Sequence, residues 1–167
     1  MKMRLLNSFR EIYADENNLS SYKNYYCALR TWVKKNVNYF RDRLWKNERL
    51  TILLDLDVDK YLVDNPGIIW AMEKGKMCGM NFKRDEELLM IISDILWDMV
   101  TVFSDLNCSC CDDCNLRYVK MEVERGNTEL LLECGTCGFV FHVDGSKYKG
   151  GIKTLYPASK EEIATCS

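Results

Sequence analysis

The sequence predicts an α+β chain, with a mainly helical N-terminal domain carrying one or two strands over residues 1–106 and a small β-rich four-cysteine module over residues 107–167. Three observations carry this. Several stretches before residue 106 repeat apolar residues at helical spacing. Six of the nine cysteines fall between Cys108 and Cys137. The stretch around those cysteines reads as short alternating strands separated by glycines and turn residues.

Leu5 to about Asp15 reads as a short helix. Ser20 is placed to cap a second one, its hydroxyl accepting from a free amide of the first turn. Tyr22, Tyr25, Tyr26, Leu29, Trp32, Val33, Val37, Phe40 and Leu44 then fall along one face, which predicts a helix to about Lys46. Thr51 to Asp59 alternates: Ile52, Leu54, Leu56 and Val58 on one face, Asp55, Asp57 and Asp59 on the other. That predicts a strand with one wet face, with a helix as the alternative. Asn65-Pro66 opens a further helix that Gly75 ends. A longer helix comes after Asp85, its stripe formed by Leu88, Leu89, Ile92, Ile95, Leu96, Met99 and Phe103.

Hydrophobic residues make up 47% and charged residues 29%, a globular composition. The longest apolar stretch, Leu88 to Val102, is interrupted by Ser93, Asp94 and Asp98, so it reads as a buried helix and not as a membrane span. Charges break up MKMRLLNSFREIYADENN, which leaves no apolar core for a signal peptide; a cytoplasmic protein with no membrane contact is expected. The net charge of −2 conceals an asymmetry: +6 over residues 1–50, −6 over 51–107 and −2 over 108–167. No segment has the basic excess that phosphate binding calls for, so nucleic acid is an unlikely partner on charge.

In a reducing cytosol, clustered cysteines favour metal binding over disulfides. Cys134-Gly-Thr-Cys137-Gly138 is a Cys-x-x-Cys turn able to give two thiolates to a tetrahedral ion, and Gly138 suits a positive φ just after it. The first pair is ambiguous, because Cys108-Ser-Cys110-Cys111-Asp-Asp-Cys114 holds both Cys108 with Cys111 and Cys111 with Cys114. The second pair is favoured. Asn115, which tolerates a positive φ, comes after Cys114, and the strand Leu116–Val123 starts directly after it. Nineteen residues then separate Cys114 from Cys134. They comprise that strand, the Arg125-Gly-Asn-Thr128 turn and the return strand Leu130–Glu133. The expected ligands are Cys111, Cys114, Cys134 and Cys137, with Cys108 as the alternate and Cys110 spare. His142, the one histidine, reads as a strand residue and not as a ligand.

Residues 108–142 resemble a zinc ribbon, a hairpin leaving one knuckle and entering the other. The resemblance implies one structural Zn²⁺, since four thiolates leave no open position for water or substrate. The hairpin's Arg117, Lys120 and Arg125 are offset by Glu122, Glu124, Glu129 and Glu133, a poor phosphate-binding surface.

Other motifs are weaker. Asp55-Leu-Asp57-Val-Asp59 begins like a calcium loop but has Lys60 where glycine is needed and Pro66 where the loop's last glutamate would stand. These aspartates, with Asp64, Glu86 and Glu87, are the candidate acidic docking surface. The tyrosines and Trp32 read as core, not as a stacking platform. One histidine and no P-loop, dinucleotide fingerprint or nucleophile elbow argue against an enzyme. In size, slight acidity and a helical part with an appended module, the chain resembles small immunity proteins of bacterial contact-dependent or polymorphic toxin systems. That resemblance implies a non-enzymatic, protein-binding inhibitor of a toxin domain. The alternative is a nucleic-acid-associated zinc-ribbon protein such as a transcription accessory factor.

Overall fold

The computed structural model describes residues 2–44, 48–61, 72–73, 76–77, 85–111, 115–124 and 127–166. Helices occupy the N-terminal half and a curled antiparallel sheet the C-terminal part. The chain groups into two compact units, one of residues 1–58 and 62–99, the other of residues 59–61 and 100–167.

The first unit is built from α1 (Lys2–Ala14), α2 (Glu16–Leu19), α3 (Tyr22–Lys35), α4 (Val37–Leu44), α5 (Glu48–Asp55), the start of α6 (Val58–Tyr61) and α7 (Asp85–Met99). Two adjacent serines divide the work between α2 and α3. Ser20 closes α2, its hydroxyl donating to the Asn17 carbonyl at 2.8 Å. Ser21, extended at φ −155°, opens α3 by accepting from the Asn24 amide. The cap expected at Ser20 is therefore one residue further on. The helix expected to run to Lys46 is interrupted at Asn36, where the backbone leaves helical geometry and the side-chain amide donates to the Trp32 carbonyl. The carbonyl of Asn36 then starts α4 by accepting from Tyr39 and Phe40. Tyr25, Tyr26, Leu29, Trp32, Val33 and Phe40 are buried as their spacing predicts, whereas Val37 is exposed. Phe9 packs edge-on against Trp32 at 5.1 Å, and Trp32 against Phe40 at 5.7 Å. Edge-on and tilted ring contacts of this kind belong to a core.

The strand expected over Thr51–Asp59 is a helix, α5, followed by a corner and α6. The buried residues are Leu50, Leu53, Leu54 and Val58, spaced by three, one and four. That is the stripe of a helix; Ile52 and Leu56 are only half-buried. A helix end leaves its last carbonyls without partners, and α3 supplies them. The buried Tyr26 hydroxyl donates to the Leu53 carbonyl at 2.6 Å and Arg30 donates to the Leu56 carbonyl at 3.1 Å. Burial pushes the Tyr26 phenol well above its ordinary range, keeping it a donor. On α7, Leu88, Leu89, Ile92, Ile95, Leu96 and Met99 are buried against α3 and α5. Phe103, expected on the same stripe, is exposed and already in the sheet. The helix expected after Asn65-Pro66 lies outside the described residues, apart from Met72 and Glu73, which are helical.

The second unit is a five-stranded antiparallel sheet: β1 (Phe103–Asn107), β2 (Asn115–Glu124), β3 (Asn127–Glu133), β4 (Val140–His142) and β5 (Leu155–Pro157). β2 is central. β3 lies along one side of it and β4 beyond β3; along its other side β1 pairs with the first half and β5 with the second. Tyr118, Leu132 and Phe141 stand directly opposite one another across three strands, so they share a face. The short helix α8 (Lys160–Ala164) opens with a reciprocal capping box between Ser159 and Glu162. The same Glu162 carboxylate accepts from Lys120 of β2 at 2.8 Å, and Lys120 also donates to Tyr61 at 3.0 Å.

Removing the Tyr26 hydroxyl tests the α3–α5 cap. Tyr26→Phe strands a buried carbonyl and should destabilise the helical unit by about 1–2 kcal/mol. Asp55→Asn, which removes only an exposed pair with Lys34, should change stability by less than about 0.5 kcal/mol. Thermal unfolding followed by circular dichroism distinguishes the two; equal effects would contradict the cap.

Candidate metal centre

The site is made by two turns placed at the same end of the β2–β3 hairpin. The first comes after β1 and carries Cys108, Cys110 and Cys111. The second, Cys134–Cys137, comes after β3 and leads into β4. It is closed by backbone: the Cys134 amide donates to the Phe139 carbonyl and the Gly138 amide to the Cys134 carbonyl, both at 2.9 Å. Gly138 adopts φ +71°, the left-handed conformation expected of it.

Cys108, Cys111, Cys134 and Cys137 come together, their sulfur atoms all within 4.8 Å of one another. Between the turns, Cys108 Sγ lies 3.6 Å from Cys137 Sγ, and Cys111 Sγ lies 3.6 Å from Cys134 Sγ. A tetrahedral zinc with bonds of about 2.3 Å would set its sulfurs about 3.8 Å apart. The donor set and its spacing are thus compatible with an ion such as zinc. Cys108 and Cys134 are buried, Cys111 is half-buried and Cys137 exposed. Cys108 and Cys134 belong to the apolar cluster of Leu116, Leu132 and Phe141, with Cys111 and Tyr118 against it.

Backbone amides prepare the sulfurs for negative charge. The Cys110 amide points at Cys108 Sγ at 3.4 Å and the Cys137 amide at Cys134 Sγ at 3.5 Å. Burial pushes the Cys134 thiol up, but the amides of Cys137 and Thr136 and the thiols of Cys137 and Cys111 outweigh it and bring it down to about 6. For Cys137, the Phe139 amide lowers the thiol, while desolvation and the neighbouring Cys134 and Cys108 raise it, and the net shift is upward. The two thiols of the second turn are thus shifted in opposite directions, Cys134 down and Cys137 up.

Among the expected ligands, Cys111, Cys134 and Cys137 are in this cluster together with the alternate, Cys108. Cys114, favoured over Cys108 on sequence, lies outside the described residues, and so does the Arg125-Gly126 turn. Cys110 is exposed and its thiol is not one of the four. His142 lies on β4, its Nδ1 at 3.1 Å from Glu129 and its ring 5.3 Å from that of Tyr148. Two of the hairpin's cations, Arg117 and Lys120, have internal partners. Arg117 and Glu133, directly opposite in register, pair at 2.9 Å with little exposure, and Lys120 pairs with Glu162. Sequence alone does not give the Arg117–Glu133 pair, because a register shift between Glu122 and Glu124 separates the turn from the rest of the hairpin and counting back from Glu124 opposite Asn127 would miss it by one residue.

The acidic residues do not share a strand face. Asp55 ends α5 and pairs with Lys34, Asp57 lies in the corner after it, and Asp59 is on α6; all three are exposed. Asp64 lies outside the described residues, Glu86 is in the first turn of α7 and Glu87 is half-buried. Among the described residues no helix is long and apolar enough to cross a membrane. Comparison with protein-family models, curated proteins and solved structures gives no match.

Substitution separates the ligands. Cys134→Ser or Cys108→Ser should cut the metal bound per chain at least tenfold and melt the sheet unit, and Cys110→Ser should do neither, as read by elemental analysis and circular dichroism. The lowered Cys134 thiol gives a second test. Uptake of zinc should release fewer protons at pH 7.5 than at pH 5.5, because the downward shift leaves more of Cys134 ionised at the higher pH. Calorimetry in buffers of different ionisation enthalpy, comparing pH 7.5 with pH 5.5, should show the total release rise as the pH falls.

Proposed function

We propose that Cys108, Cys111, Cys134 and Cys137 bind one structural Zn²⁺ and make residues 108–142 a zinc ribbon. The convergence of four sulfurs from two turns, at a spacing zinc accommodates, carries this reading. The ion would supply a cross-link between the turns. With all four positions taken by thiolates it would have no place for a substrate, which makes its role structural.

On that scaffold we read the chain as a non-enzymatic, protein-binding module of the immunity type, one that binds and neutralises a bacterial toxin domain in the cytoplasm. Support comes from the −6 balance of residues 51–107 and from the exposure of Asp55 and Asp57 on the helical unit. An acidic surface of this kind would steer and hold a basic partner. The internal pairing of Arg117 and Lys120 counts against the nucleic-acid reading, since neither cation is left for phosphate.

Co-expression with the product of the neighbouring gene tests the proposal. A stable complex, and survival of cells otherwise killed by that product, are the expected results. The double reversal Asp55→Lys with Asp57→Lys should weaken the complex at least tenfold at low salt while leaving the circular dichroism unchanged. No complex, or one indifferent to the reversal, would overturn the reading; salt-sensitive retention on a DNA column would replace it with the nucleic-acid alternative.

A further inference from the structure

The four clustered thiols have a second chemistry. Two of them are sheltered, Cys108 and Cys134, and two are accessible to differing degrees, Cys111 and Cys137. The two 3.6 Å contacts between the turns each join a sheltered sulfur to an accessible one: Cys108 with Cys137, Cys111 with Cys134. All four sulfurs lie within 4.8 Å of one another, and Cys137 also neighbours Cys134 and Cys111; the two crossed contacts are the set that joins a sheltered sulfur to an accessible one of the other turn with each thiol used once.

We propose that these four cysteines are also an oxidation site for hydroperoxides, at which they convert to two disulfides that cross between the turns, Cys108–Cys137 and Cys111–Cys134. This rests on the zinc reading only for its starting state. The exposed Cys137 sulfur, which would be a thiolate in the zinc-bound starting state, attacks a peroxide oxygen; the O–O bond breaks and hydroxide leaves, taking a proton to become water. The resulting sulfenic acid is attacked at sulfur by the Cys108 thiolate 3.6 Å away. The S–S bond forms, the S–O bond breaks, and the second hydroxide leaves as water. Cys111 and Cys134 react in the same way with a second peroxide. Four thiolates, two hydrogen peroxides and four protons give two disulfides and four waters, and the zinc leaves as Zn²⁺ with its oxidation state unchanged.

Crossing is what the fold favours. A disulfide inside either Cys-x-x-Cys turn closes a loop of a few residues and leaves the turns unlinked. A crossed one closes the whole hairpin, which restricts the unfolded chain far more. It also keeps both turns against Leu116, Leu132 and Phe141, where they already pack. The sheet would therefore be held by metal under reducing conditions and by disulfides under oxidising ones, with the same topology in each.

The test uses the full chain, purified under reducing conditions, with zinc per chain measured first. Hydrogen peroxide is then added in small molar excess, zinc release is monitored with a chromogenic chelator, and disulfides are mapped by non-reducing digestion and tandem mass spectrometry. The Cys110→Ser chain is run in parallel, to remove the exposed neighbour. The expected result in both chains is loss of the four clustered thiols, zinc released in step, the two crossed pairs, and sheet circular dichroism retained. Disulfides within the turns or between chains, or sulfinic acids in their place, would overturn the proposal. A chain that carries no zinc as purified would sink the metal reading instead; crossed pairs mapped in that chain would still uphold this one.

Discussion

Register and ligand geometry specify each other in the C-terminal unit. Tyr118 faces Leu132 across the hairpin and Leu132 faces Phe141. Cys134 lies two residues past Leu132, so the same alternation that buries the leucine aims the thiol into the cluster. A slip of one residue between β2 and β3 would turn Leu132 outward and carry Cys134 away from Cys111. The sheet brings the sulfurs together, and whatever joins the sulfurs fixes the sheet. With few large side chains in the cluster, this mutual constraint matters more here than in a larger domain.

Several charges around the hairpin are paired within the same structure. Arg117 meets Glu133 in register, Lys120 is taken by Glu162 and Tyr61, Lys153 donates to the Val123 carbonyl, and His142 sits against Glu129. Lys120 shows how one cation can organise several elements. Burial alone would lower its ammonium, but hydrogen bonds to Glu162 and Tyr61 reverse that and hold it above its ordinary value. Glu162 is lowered in turn, chiefly by Lys120 and by the Ser159 amide and hydroxyl acting against burial. The pair is therefore intact at neutral pH. Its contribution fades as the pH falls through the carboxylate range, and again as it rises through the raised range of the lysine.

Sequence periodicity located α7 well, because Leu88 to Met99 repeats over about three turns with no competing pattern. It located the second knuckle for a local reason: glycine after Cys-x-x-Cys answers a backbone demand that φ +71° at Gly138 meets. It failed where a short apolar run satisfies two periods at once. Ile52, Leu54, Leu56 and Val58 alternate, yet Leu50, Leu53, Leu54 and Val58 are the residues buried, and the helical stripe begins one residue before the alternating window. The break at Asn36 and the cap at Ser21 were hidden because each rests on one side chain choosing a nearby backbone group, which periodicity does not register. In the first knuckle, sequence could weigh only the residue after each cysteine. Structure adds the amide of Cys110 directed at Cys108 Sγ, which gives the first turn the same feature as the second.

Magnitudes rank the interactions and show where the surface is free to vary. A structural zinc adds on the order of 10 kcal/mol to the folding of a small module, while burying one leucine or phenylalanine gives about 2 kcal/mol. The proposed ion would thus match several core side chains, and its four ligands would tolerate no exchange. The buried hydroxyl of Tyr26 is worth about 1 kcal/mol. The pair between Lys34 and Asp55, with side chains 51% and 75% exposed, is worth less still once solvent and salt screen it. Asp55 can therefore be exchanged at little cost to the helix beneath it. A surface position whose composition is nearly independent of stability is free to vary with a partner, which is the physical basis on which that segment is proposed as a recognition face.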